Sequence, residues 1–174
     1  MKKNPLLKLY FIFGLVAAMF YSAAAFVFIQ KAVYTESWVL YAGNFAFMVV
    51  IACFLFYVSN LKDNNSSTLS LIVSGEKTVL IGMVAAALLS FILLVILVHG
   101  LLGTGTPGKV ITEKPANTIT DRTNGLDFML MMNALIGNFV TGSFVSVMLP
   151  ASLKRNQKTE KGTRIKNERE KTYS

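Results

Sequence analysis

Four apolar runs of about twenty residues each dominate this 174-residue chain, of which 53% is hydrophobic. A water-soluble domain of this length has no place to bury four such runs. A helix of about 20 apolar residues, by contrast, is long enough to cross the hydrocarbon core of a bilayer. The runs are 9–30, 38–59, 78–102 and 127–150. They predict an all-α fold: an integral membrane four-helix transmembrane bundle with antiparallel neighbours, residues 1–153 forming one domain.

Charge placement predicts the orientation. With the amino terminus inside, the cytoplasmic side carries Lys2, Lys3, Lys8, Lys62, Lys77 and eight basic residues of the tail, against Lys31, Lys109, Lys114 and Arg122 outside. Both termini are therefore expected in the cytoplasm. The same bias favours a bacterial cytoplasmic (inner) membrane. A cleaved leader is the competing reading of the first run: Lys2, Lys3 and Lys8 would precede an apolar Leu9–Tyr21 and a Ser22-Ala23-Ala24-Ala25 cleavage site. The apolar run continues through Phe26-Val27-Phe28-Ile29, which favours an uncleaved helix. Tyr34, Trp38 and Tyr41 at one end of the second span, with Tyr57 near the other, form the aromatic belts expected at two interfaces.

Small residues recur every four positions in several spans: Gly14, Ala18 and Ser22 in the first, Gly82, Ala86 and Ser90 in the third, Ala134, Asn138, Gly142 and Ser146 in the fourth. Ala42, Ala46 and Cys53 form a similar ridge on the second, with Asn44 about 160° away around the helix. Such ridges let helices approach closely. The second span is thus expected to make buried contacts on two sides, and Cys53 to be a buried, inert thiol.

The fourth span is the least apolar, and its polar residues fall on one side with Asp127, Ala134, Asn138, Thr141 and Val145. Lipid penalises such a stripe, so it should face protein or water. Asn138, Thr141, Ser90, Asn133 and Asn44 are the candidate polar intramembrane face. Antiparallel topology puts Asn44 and Asn133 at one level, about 9 Å below the outer interface, and Ser90 and Asn138 near the midplane. Interhelical hydrogen bonding is the favoured role, with a solute path the alternative. His99 and Asp127 fall together at the outer mouth, either as a titrating pair or as separate interfacial residues. Asp127 also suits a helix amino terminus.

Residues 60–77 read as a polar loop whose TLSLIVSG is either a short interfacial helix or the frayed start of the third span. The Asn64 and Asn65 glycosylation sequons fall on the cytoplasmic side, where they carry no meaning. The outer loop, 103–126, has a possible hairpin about Pro115-Ala116-Asn117. It also spells G-x-G-x-x-G from Gly103 to Gly108, but without the strand and helix a dinucleotide site requires. The tail, 154–174, with Lys154, Arg155, Lys158, Lys161 and Arg164, reads as a disordered basic segment drawn to anionic lipid headgroups. Charge alone does not make it a nucleic-acid binder.

One histidine and one cysteine at different depths make no catalytic or metal constellation, and no cofactor is expected. No ionisable residue falls in the middle of a run, which counts against pumps and ion-coupled carriers. The chain reads as a small polytopic, non-enzymatic protein of accessory, assembly or scaffold type, associating through its small-residue faces with a membrane-protein partner or with itself. The alternative is a small-solute permease or channel built on the polar face of the fourth span.

Overall fold

The computed structural model describes residues 5–61, 67–98 and 125–153. They form four helices, each long and apolar enough to cross a membrane: α1 (Pro5–Lys31), α2 (Trp38–Leu61), α3 (Thr68–Leu97) and α4 (Gly125–Leu153). A short 3-10 turn, Tyr34–Ser37, leads into α2.

The local signals explain where the helices start and stop. Proline suits a first helical position, because its fixed φ is already helical and its missing N–H would have had no partner there; α1 begins on one, Pro5. α1 ends at Ala32, whose φ of 50° is left-handed and whose N–H returns to the Phe28 carbonyl at 2.8 Å. That is the usual closing turn of a helix, made here by alanine instead of glycine. Lys31 then pairs with Glu36 at 3.2 Å, and Glu36 also accepts from Trp38 Nε1 at 3.0 Å. This half-exposed cluster ties the α1–α2 link together, although such an ion pair contributes at most about 1 kcal/mol.

α3 starts earlier than its hydropathy predicts. Ser67 caps it by accepting from the Ser70 N–H at 3.2 Å, and the helix runs unbroken from Thr68. TLSLIVSG is therefore the first part of the third helix. Leu71, Ser74 and Gly75 are already buried in the bundle, so tertiary packing extends the helix through residues that read as loop. Glu76 and Lys77 consequently lie within the long helix.

Contacts between the helices define the topology. Tyr10 meets Ser74, and Gly14 meets Thr78 and Gly82, so α1 and α3 run parallel. Gly43 lies against Tyr21 and Ala24, while Tyr10 and Phe13 pack on Phe54, so α1 and α2 are antiparallel. Gly75 faces Ser146 and Gly142 faces Val79, so α4 is antiparallel to α3. Pro5, Leu61, Thr68 and Leu153 thus share one end of the bundle. α1 packs on both α2 and α3, and α4 lies against α3 and α2.

The core depends on glycine. A Cβ on Gly82 would stand 2.9 Å from the Phe47 ring and 3.1 Å from the Gly14 carbonyl oxygen; one on Gly142 would stand 3.1 Å from the same ring. Phe47, fully buried, fills the slot that α1, α3 and α4 leave open. In a bundle set in lipid the gain from such a ring is close van der Waals packing and not transfer out of water. The ridges of α1, α3 and α4 face into the bundle at Gly14, Ala18, Gly82, Ala86, Ser90, Ala134, Asn138, Gly142 and Ser146.

The ridge on α2 does not. Ala42 and Cys53 are exposed and Ala46 is partly so, while Val39, Leu40, Gly43, Asn44, Phe47, Ile51, Phe54, Leu55 and Val58 are buried. The expectation of a buried Cys53 is therefore wrong: its thiol lies on the outward face. The reason is spatial. Gly82 and Gly142 admit the Phe47 ring, and Phe54 packs against the Tyr10 and Phe13 rings, so α2 turns these two aromatics inward and its alanines outward. Among the described residues the outer surface is largely apolar, with Phe11, Phe20, Phe45, Leu88, Phe91 and Phe144 all exposed. Such a surface matches a lipid environment and not water.

Candidate functional site

The polar side chains converge at one irregularity. Asn133–Gly137 forms a π turn within α4. A π turn widens the helix by one residue and leaves backbone carbonyls poorly served. Three side chains supply donors around it. Tyr21 of α1 donates its hydroxyl to the Leu130 carbonyl at 3.4 Å, Asn138 donates Nδ2 to the Ala134 carbonyl at 3.0 Å, and Thr141 donates Oγ1 to the Gly137 carbonyl at 2.9 Å.

Asn133 is the centre of this arrangement. Its Oδ1 accepts from Tyr21 at 3.1 Å and from Asn44 Nδ2 at 3.0 Å, joining α1, α2 and α4 through one atom. Gly137 makes this possible: a Cβ there would stand 2.6 Å from Asn44 Nδ2. The amide of Asn44 lies where any other residue of α4 would carry a side chain. The Asn44–Asn133 pair falls at one level, as the residue counts along the two spans imply. Nothing marks Tyr21 in the sequence, where it reads as one more aromatic residue in an apolar run.

The other candidate residues lie elsewhere. Ser90 and Asn138 are fully buried, but neither bonds the other. Asn138 binds only its own helix through Nδ2, and its Oδ1, like Ser90 Oγ, has no partner among the described residues. Thr141 is half-buried and also bonds its own backbone. Asp127 sits in the first turn of α4, where the helix dipole favours a carboxylate. His99 lies outside the described residues, and so does the choice between a His99–Asp127 pair and two separate interfacial residues. The G-x-G-x-x-G run, the possible hairpin, the sequons and tail residues Lys154, Arg155, Lys158, Lys161 and Arg164 also lie outside them.

An open groove runs beside the π turn, lined by Tyr34, Tyr41, Phe128, Met132, Asn133 and Ile136. It is mostly apolar. Among the described residues no three histidine, cysteine or acidic side chains gather as metal ligands.

Comparison with models of known families, with curated proteins and with solved structures gives no match. Function is therefore read from the geometry of the site itself.

Proposed function

We propose that this protein is a non-enzymatic accessory or assembly component of a membrane, spanning it four times with both termini in the cytoplasm. A bacterial inner membrane suits the charge bias best. What supports the reading is the use of its polar groups. Asn44, Asn133 and Tyr21 bond to one another across three helices, while Asn138 and Ser90 have no exposed surface at all. Residues lining a solute path would instead show open surface along a continuous line.

On this reading the associating face is a different one from those expected on α1, α3 and α4. The small-residue ridges of α1, α3 and α4 are consumed inside the bundle. The ridge left for a partner is Ala42, Ala46 and Cys53 on the outside of α2. Two membrane helices associate through such small faces because close backbone approach improves van der Waals contact. The basic tail would lie along anionic headgroups on the cytoplasmic side, contributing about 1 kcal/mol per basic residue close to the surface. The competing reading, a small permease or channel, is best supported at the groove beside the π turn, since π turns are frequent at functional sites.

Native mass spectrometry after gentle extraction from the protein's own membrane tests the proposal. The expected spectrum shows a stoichiometric complex with a second membrane protein or an ordered homo-oligomer. Ala46→Leu is expected to dissociate it while the chain stays folded, because residue 46 does not reach the core. A monomer from wild-type membranes, or a complex indifferent to Ala46→Leu and to Cys53→Leu, contradicts the proposed face.

A further inference from the structure

Glu76 falls in a stretch that reads as loop by hydropathy, yet the helix that contains it turns its carboxyl group into the bundle. Its Oε2 accepts from Ser143 Oγ of α4 at 2.9 Å. Its Oε1 is buried and has no partner among the described residues. Ser146, one turn further along α4, is fully buried, and its Oγ likewise has no partner among them. That hydroxyl lies over Gly75, the residue before Glu76, where a Cβ would come within 2.7 Å. Ser143 and Ser146 are three apart and share a helix face. The missing side chain at Gly75 leaves room for the Ser146 hydroxyl between α3 and α4, one turn along from the Glu76–Ser143 bond.

From this arrangement we infer that Glu76, Ser143 and Ser146 form an intramembrane site for one monovalent cation, either a proton or a sodium ion. The inference rests on the membrane-spanning reading and not on the accessory role. Glu76 lies eight residues into α3 and Ser143 ten residues before the end of α4, so the site sits roughly 12–15 Å from the shared end of the bundle. A carboxylate at that depth needs a compensating charge. No ion pair reaches it: the ion pair found among the described residues is Lys31–Glu36. Lys77, its neighbour in α3, is exposed. The groups turned toward this level from the other helices include Leu55 of α2, against Gly75, and Tyr10 of α1, whose hydroxyl lies 3.2 Å from Ser74 Oγ. The donor set is entirely oxygen and carries one negative charge. A single positive charge neutralises it. A divalent ion would leave excess charge in a low-dielectric setting and ordinarily recruits more oxygen ligands.

The test uses the full-length protein in liposomes and the apolar reagent dicyclohexylcarbodiimide, which adds to protonated carboxyl groups. Adduct at Glu76 is read by peptide mass spectrometry, with Glu36 as the exposed reference. Labelling of Glu76 is expected to outpace that of Glu36 and to be absent in Glu76→Gln. Protection by sodium chloride but not choline chloride identifies sodium; a rate that falls with rising pH and ignores sodium identifies the proton. Ser146→Ala, and separately Ser143→Ala, should shift the half-protecting sodium concentration or the pH midpoint by about tenfold, the equivalent of one charge-assisted hydrogen bond. Labelling of Glu76 no faster than that of Glu36, or unaffected by sodium, pH and both serine variants, overturns the site.

Discussion

Gly82→Leu is expected to cost the bundle about 3 kcal/mol or more, a larger loss than any other substitution proposed for this chain. The reason lies in what surrounds the missing side chain. A first carbon at position 82 would already stand 2.9 Å from the Phe47 ring and 3.1 Å from the Gly14 carbonyl oxygen. The ring can tilt, but the carbonyl belongs to the backbone of α1 and cannot swing aside. Three further carbons would force α1 and α3 apart and unseat Phe47 from the slot it shares with Gly142. Gly82→Ala, which asks the Phe47 ring to tilt and the Gly14 carbonyl contact to ease by a few tenths of an ångström, is expected to cost about 1–2 kcal/mol. Equilibrium unfolding in mixed micelles, followed by circular dichroism, separates the two. A Gly82→Leu protein that unfolds with the wild type would show that the close α1–α3 crossing does not hold the fold.

The second large effect separates two asparagines that look alike in sequence. Asn133→Leu removes the atom on which Tyr21 and Asn44 converge. Tyr21 keeps its longer bond to the Leu130 carbonyl, but Asn44 Nδ2 is left without its acceptor. Interhelical hydrogen bonds in membranes average about 0.6 kcal/mol, and orphaning a buried donor adds to that, so a loss of about 2 kcal/mol is expected. Asn138→Leu should cost less than about 1 kcal/mol. It gives up a bond within its own helix and also removes a buried oxygen that has no partner among the described residues. The same unfolding measurement, made on both variants and on Tyr21→Phe combined with Asn133→Leu, checks the ordering. Equal losses at 133 and 138 would place the polar anchor of the bundle elsewhere.

Much of this architecture is legible in the sequence because lipid-compatible helices need long apolar runs, and nothing else in the chain competes with that signal. Depth is legible too: counting residues inward from the loops puts Asn44 and Asn133 at one level, where they bond. Facing is harder. The four-residue ridges of α1, α3 and α4 point inward, yet the similar ridge at Ala42, Ala46 and Cys53 points outward. Spacing alone does not reveal that Phe47 and Phe54 claim the interior. The start of α3 is obscured for a related reason. Glu76 and Lys77 lower the local hydropathy, while the packing of Leu71, Ser74 and Gly75 that extends the helix is tertiary. The π turn leaves no signature in residue types. It shows only once Tyr21, Asn44 and Gly137 are seen around it.

The central claim is that the buried polar residues hold the helices together and line no path. Cysteine accessibility tests it most directly, because the single native thiol lies on the outward face and Cys53→Ser gives a clean background. In that background, Asn138→Cys and Ser90→Cys are exposed to a small water-soluble thiol reagent in intact cells, with Thr118→Cys, in the segment proposed to lie outside, as the positive control. The account predicts labelling at 118 and none at 138 or 90 until the protein is denatured. Rapid labelling of either buried position in the folded protein would mean that water reaches the centre of the bundle, and the polar face would then belong to a conduit.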